Sequence, residues 1–203
     1  MFIQAHPILK SSRGQSLIEL TFIVPLMMTL AFGAIEVGSV ISTYLTLTHT
    51  TREAANLASR GGKVPVDKNG ANYTTPDDIL DSVIKAASPT LTATNQAQWE
   101  MIYSKLVRDK TPCATPPCNY IVDTKAGGRV IRGNLNRQSK LGPANGTPIP
   151  QSVLPGIQNV KDSQTFHVFE VFYDYSHNVI TFVGKAIDTD LYDRTIFTDV
   201  SGN

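Results

Sequence analysis

The feature that most constrains this chain is a long stretch without positive charge near its N-terminus. No Lys or Arg occurs between Arg13 and Arg52, and the segment from Leu20 to Val40 is almost wholly apolar or small. About 20 such residues, at ~1.5 Å of rise per residue, cross a hydrocarbon core of ~30 Å. Because helices in the core of a soluble domain are usually shorter, this segment predicts a helix that spans a membrane.

The flanking sequence predicts how the span is oriented and where its helix ends. Lys10 and Arg13 precede the apolar run and the next cation is far downstream. The positive-inside bias therefore places the N-terminus in the cytoplasm and the C-terminal bulk outside. A cleaved secretory signal would have a shorter apolar core with a small-x-small site. Here the helical pattern continues to Gly61-Gly62, so we predict one anchoring helix from about residue 16 to about residue 60.

An acidic residue at the start of the apolar run gives the N-terminus a specific pattern. Gly14, four residues, Glu19 and a hydrophobic helix follow a short basic leader, which is the signature of a type IV prepilin. The pattern continues with Pro25, a GAIEVG segment around Glu36 and a TREAANLAS segment. With these features, residues 13–62 resemble the N-terminal module of TadE-like proteins of the tight-adherence (Flp-type) pilus system.

The resemblance implies how the chain is processed and where it resides. A prepilin peptidase would cut between Gly14 and Gln15, which makes Glu19 the fifth residue of the mature chain. The other partners implied are pilin-like subunits and the inner-membrane pilus assembly platform. The expected location is the bacterial inner membrane, crossed once, with the C-terminal domain in the periplasm and possible incorporation into a pilus.

The organisation predicted from these observations has three parts. Residues 1–14 form the prepilin-type leader, and residues 15–62 form the transmembrane and extended N-terminal helix. Residues 63–203 form a periplasmic or extracellular α+β domain.

The two acids of the helix allow alternative interpretations. A carboxylate in hydrocarbon is costly unless it finds a partner. For Glu19 the resemblance implies the free α-amine of a neighbouring subunit as that partner; otherwise it lies at the headgroup level, near Arg13, and stays solvated. Glu36 lies 17 residues further along, about 25 Å up the helix. There it is either wetted by the external headgroups or paired with a cation on a partner helix.

The C-terminal region mixes helix and strand patterns. The TPDD sequence at residues 75–78 is typical of a helix start. A second helix is predicted within residues 94–109 from an apolar stripe at helical spacing: Trp99, Ile102, Tyr103 and Leu106. The fold class predicted is α+β, with a long N-terminal transmembrane helix followed by a small exported domain in which two helices pack on an antiparallel sheet.

Strand patterns dominate the later part of the chain. Two short strands, predicted to pair with each other, fall within residues 119–123 and 127–134. Residues 166–173 alternate with apolar groups on both sides and predict a central strand, followed by a turn and a returning strand up to residue 184. A last strand is predicted within residues 193–200. Residues 133–159 are rich in Gly, Pro, Asn and Ser and predict a long surface loop or a partly ordered one.

The two cysteines predict one local disulfide. Cys113 and Cys118 are separated by four residues, and outside the cytoplasm such a pair closes a small loop. A zinc site would need more ligands, and a redox motif usually has two intervening residues.

The motif inventory favours a structural role. The sequence contains no nucleophile elbow, phosphate loop or zinc motif, and its scattered Lys and Arg residues do not favour nucleic acid. We therefore predict a chain that is not an enzyme and carries no cofactor or metal. The TadE-like resemblance further implies a minor pilin or pseudopilin in tight-adherence pilus biogenesis. The alternatives are a membrane-tethered periplasmic enzyme or ligand-binding domain, and a pseudopilin of type II secretion.

Overall fold

The structure is a computed structural model that describes residues 12–59, 75–109, 119–149, 153–154, 165–176 and 189–198. The chain divides into two compact units, Met1–Val40 with His177–Ala186 and Ile41–Ser176 with Ile187–Asn203.

Helix α1 runs from Ser12 to Ser59 as one continuous element of 48 residues, which confirms the predicted long helix. The part that starts at Ser16 is, among the described residues, the one helix long and apolar enough to cross a membrane. Its large apolar side chains between Leu17 and Val37 are exposed. The hydroxyl groups within this apolar stretch donate to the carbonyl oxygen four residues earlier: Thr21 to Leu17, Thr29 to Pro25 and Ser39 to Ile35. The helix thus satisfies these polar groups internally, as a lipid environment requires.

The second unit contains an antiparallel sheet, which confirms the predicted α+β class. Its strands are β1 (Trp99–Arg108), β2 (Tyr120–Val122), β3 (Arg129–Gly133), β4 (Phe166–Asp174) and β5 (Asp190–Thr198). The strand order is β2-β1-β4-β5, and β3 also pairs with β1. Strand β4 therefore lies between β1 and β5, as its two-sided apolar pattern predicts.

Two layers cover the two faces of the sheet. On one, which we call the helix face, Trp99, Met101, Tyr103, Phe169 and Val171 form a buried cluster with residues of α1 and α2. On the other, the loop face, Leu106, Phe166 and Val168 pack with Leu141, Ile149 and Leu154 from the long segment between β3 and β4. The loop predicted as a surface segment therefore contributes three buried side chains to a second core.

Helix α2 spans Pro76–Ala86 and begins where the sequence predicts. Thr75 is its N-cap: the Thr75 hydroxyl oxygen accepts from the backbone N–H of Asp78, at 3.3 Å, and the Asp78 carboxylate accepts from the backbone N–H of Thr75, at 3.2 Å. This capping box satisfies two backbone donors that the first turn would otherwise leave without partners.

The second helix predicted within residues 94–109 is wrong, because this segment forms β1. Both faces of β1 are covered, so Trp99, Met101 and Tyr103 are buried on the helix face while Ile102 and Leu106 are buried on the opposite face. Apolar residues at nearly every position include pairs at helical spacing, and periodicity alone does not separate the two structures. The second helix on the sheet is instead the C-terminal part of α1.

Two further predictions concern the pairing of the short strands and the returning strand after β4. The pairing of β2 with β3 is wrong, since both strands pair with β1: Leu106 faces Val122 and Ile102 faces Ile131. The predicted returning strand that ends at residue 184, like Cys113 and Cys118, lies outside the described residues.

Candidate functional site

The residues predicted from the prepilin-like pattern lie along α1. Gly14 and Gln15 are within the first turns of the helix, which begins at Ser12. Glu19 follows on the next turn and its side chain is exposed. The carboxylate of Glu19 is therefore placed on an apolar helix surface that a neighbouring chain could reach.

Pro25 lies inside α1 without ending it. A proline has no N–H, so the carbonyl of Thr21 cannot accept the usual helical hydrogen bond from residue 25. The carbonyl of Pro25 itself accepts from the Thr29 hydroxyl at 2.8 Å. The helix continues through this position, as membrane helices that contain proline do.

Glu36 has a different environment from its neighbours. Its side chain is 4% exposed, whereas those of Ile35 and Val37 are 57% and 59% exposed. Glu19, Pro25 and Glu36 are thus spread along the helix and do not form one cluster.

A junction between α1 and β5 was not predicted from the sequence. Thr51 is fully buried, its hydroxyl donates to the Asp193 carboxylate, and it accepts from the Thr195 hydroxyl at 3.1 Å. Asp193 and Thr195 lie on the helix face of β5, opposite Val171 and Phe169 of β4. This polar contact ties the helix to the sheet at one defined position.

Small side chains surround that junction. Ala54, Ala55 and Ala58 are buried on the same side of α1 as Leu47. Their spacing, together with Thr51, follows the i, i+3, i+4, i+7 rule for one helix face. That periodicity in the TREAANLAS segment was the available signal for a buried face, but the sequence does not show which strand it contacts.

On the loop face, Glu170 anchors the segment that follows β3. This fully buried carboxylate accepts from the Ser139 hydroxyl, from the backbone N–H of Lys140 at 3.0 Å and from the Tyr192 hydroxyl at 3.0 Å. Burial, and then the negative charge of Glu170, raises the pKa of Tyr192 well above its ordinary value. Tyr192 therefore stays a hydrogen-bond donor.

Two residues of the sheet, Glu100 and Arg129, also bind the same segment. The backbone N–H of Arg137 donates to Glu100 at 2.9 Å, and the Arg129 guanidinium donates to Ser104 at 3.0 Å and to the Gly142 carbonyl at 2.6 Å. Burial lowers the pKa of Arg129, and the Glu170 carboxylate opposes that shift. These polar contacts fix the segment from Arg137 to Gly142 over the sheet.

A cavity of about 310 Å³ lies beside this segment, between it and the ends of β4 and β5. Arg137 pairs with Asp190 at 2.5 Å, and the Lys140 ammonium lies 3.4 Å from the centre of the Tyr192 ring. The charged side chains of the cavity lining are thus engaged, Arg137 with Asp190 and Lys140 with the Tyr192 ring. Across the described ranges, no three His, Cys, Asp or Glu side chains are grouped as metal ligands.

These features define a class of protein: an α+β domain built on the later part of a helix whose earlier part is apolar enough to anchor in a membrane. Residues 14–56 match the model of the TadE-like protein family, which confirms for this segment the resemblance predicted from the sequence. The matched segment includes residues 41–56, the part of α1 that belongs to the second unit. No curated protein and no solved structure gives a significant match to the chain.

Proposed function

We propose that this chain is a pilin-like structural component, of the minor-pilin type, in tight-adherence pilus biogenesis. The TadE-like match over residues 14–56 associates it with such pili. The observation that supports the proposal most directly is α1 itself. One helix presents an exposed apolar surface in its first part and supplies buried core residues to the domain in its last part.

The proposed assembly begins with removal of the leader in the inner membrane. A prepilin peptidase cuts between Gly14 and Gln15, and the apolar part of α1 stays in the bilayer with the domain on the periplasmic side. The new α-amine of Gln15 on one subunit then neutralises Glu19 on a neighbour. A carboxylate in hydrocarbon is stabilised by an opposite charge close to it, so this pairing would favour a processed and correctly staggered neighbour.

The exported domain determines which partner the subunit meets. Helix α1 continues from the apolar stretch into the domain core. The same helix therefore packs in the membrane and carries the sheet of the exported domain. Separate proteins, the pilus platform and its ATPase, assemble this subunit and extract it from the membrane.

N-terminal sequencing of the protein from membranes, with and without the prepilin peptidase, tests the processing step. A mature start at Gln15 that depends on the peptidase is the expected result. An intact Met1 would contradict the processing step and favour a domain tethered by its N-terminal helix. Cleavage after the apolar run would favour a secreted domain.

A pair of variants tests the proposed role of Glu19. Glu19→Ala is expected to be inserted in the membrane yet lost from pilus fractions. Glu53→Ala, at an exposed position of α1 within the second unit, serves as the control and should enter pilus fractions like the unaltered chain. Equal recovery of Glu19→Ala and Glu53→Ala in pilus fractions would contradict the proposed pairing of Glu19 with the α-amine of Gln15.

A further inference from the structure

An exposed turn on the loop face combines three residues with a specific geometry. Asn145, Gly146 and Thr147 follow one another, and the side chains of Asn145 and Thr147 are exposed. The side-chain oxygen Oδ1 of Asn145 accepts from the backbone N–H of Thr147 at 3.1 Å and from the Thr147 hydroxyl at 2.5 Å. Gly146 adopts a φ of +81°, which lets the chain turn back over these donors.

The same geometry favours an intramolecular reaction. Gly146 comes directly after Asn145, so its backbone nitrogen is the atom that can attack Cγ of the Asn145 side chain. Because Gly146 has no Cβ, no side chain hinders this attack. Within the part of the chain that the structure describes, the Gly146 N–H takes part in no hydrogen bond, so no structure has to be broken to release it. The two donors on Oδ1 are placed where negative charge would develop during attack on Cγ.

We propose that Asn145 is a self-modification site that deamidates in the folded protein, with Thr147 acting as its oxyanion hole. The Gly146 nitrogen loses its proton to solvent base and forms a bond to Cγ of Asn145. The bond from Cγ to Nδ2 breaks, and ammonia leaves after protonation by water. Water then opens the resulting succinimide at either carbonyl, which gives aspartate or isoaspartate. The reaction needs water and base alone and is independent of the proposed function.

The chain offers an internal control for this chemistry. Asn134 is also exposed, but the residue after it is Leu135, whose side chain hinders attack by the following backbone nitrogen. The sequence has a second Asn-Gly pair, Asn69-Gly70, which lies outside the described residues. Peptide mapping separates all three sites.

The test is incubation of the full-length protein, in detergent, in water enriched with oxygen-18. Peptide mass spectrometry then follows loss of each amide and uptake of heavy oxygen. We expect Asn145 to lose its amide in most molecules while Asn134 retains it, and the loss to be faster in mildly alkaline than in mildly acidic buffer. Retention of the Asn145 amide to the same extent as that of Asn134 would overturn the proposal.

The variant Thr147→Val separates the effect of the folded turn on the deamidation rate from the effect of the Asn-Gly sequence alone. Valine keeps the branched shape and the backbone N–H but lacks the hydroxyl donor. We expect slower amide loss at Asn145 in the folded variant, and equal rates for both proteins once they are unfolded in urea. Equal rates in the folded proteins would show that Thr147 does not assist the reaction. Slower loss in the folded than in the unfolded unaltered chain would overturn the proposal that the folded turn promotes it.

Discussion

Glu170 illustrates how single residues hold the loop face together. The alternation of β4 places Glu170 on the same side as Phe166 and Val168, and the structure shows it fully buried there. Its three hydrogen-bond donors come from distant parts of the sequence. A buried carboxylate is tolerated only with such donors, and neither Ser139 nor Tyr192 could be recognised as one from sequence spacing.

Tyr192→Phe tests this network through its pH dependence. The raised pKa of Tyr192 means that, above its ordinary value of 10.0, the unfolded chain loses the Tyr192 proton before the folded chain does. The stability that Tyr192 contributes is therefore complete below that pH and is lost as pH rises further. In neutral buffer we expect the variant to be less stable by about 1.5 kcal/mol, because a hydrogen bond to a charged group is lost.

Urea unfolding at several pH values measures this effect. The stability gap between the unaltered chain and Tyr192→Phe should narrow in the alkaline range. Some alkaline decline will persist in the variant, since burial also raises the pKa of Tyr173. A gap that stays constant with pH would show that Tyr192 is not protected from ionisation.

At the scale of elements, α1 combines a first part long and apolar enough to cross a membrane with a last part that belongs to the domain core. The sequence predicted its length because an apolar run without cations and a later Gly-Gly pair are local signals. The junction of Thr51 with Asp193 and Thr195 joins residues far apart in the chain, and no local pattern encodes such a pair. The wrong prediction of a helix at β1 has a related cause. The residues that bury β1 on the loop face come from a loop that is distant in the sequence.

Matched threonine variants on α1 test the junction. Thr51→Val keeps the shape but removes the donor to Asp193, and we expect a loss of about 1–2 kcal/mol in the free energy of unfolding. Thr48 is the control: among the described residues its hydroxyl oxygen is buried without a hydrogen-bond partner. Thr48→Val should therefore be neutral or stabilise by up to about 1 kcal/mol. Chemical denaturation of the two detergent-solubilised variants gives both values, and equal effects would contradict the assigned role of Thr51.

For the whole molecule, the later part of α1 belongs to the compact second unit, which begins at Ile41. This part of the helix carries the buried side chains of Leu47, Ala54, Ala55 and Ala58. At ~0.8 kcal/mol per buried carbon, these side chains contribute roughly 6 kcal/mol, which is comparable to the total stability of a small domain. The prediction that residues 63–203 form a domain of their own remains to be tested.

Two fragments test this boundary. Residues 41–203 are expected to form a water-soluble domain with cooperative urea unfolding, followed by far-ultraviolet circular dichroism. Residues 63–203 lack the α1 layer and leave α2 as the only helix over the helix face among the described residues, so we expect no cooperative transition. Cooperative unfolding of the shorter fragment at the same urea midpoint would show that α1 is dispensable for the fold.

The sequence by itself determined the long apolar helix, the TadE-like pattern, the start of α2, the central strand β4 and the α+β class. Each of these depends on residues close together in the chain, where spacing, charge and capping act locally. The tertiary structure decided that residues 99–108 form a strand, that the loop after β3 covers one face of the sheet, and that the last turns of α1 cover the other. These outcomes depend on which distant surfaces exclude water from each other, and that information lies in the packing of the whole chain.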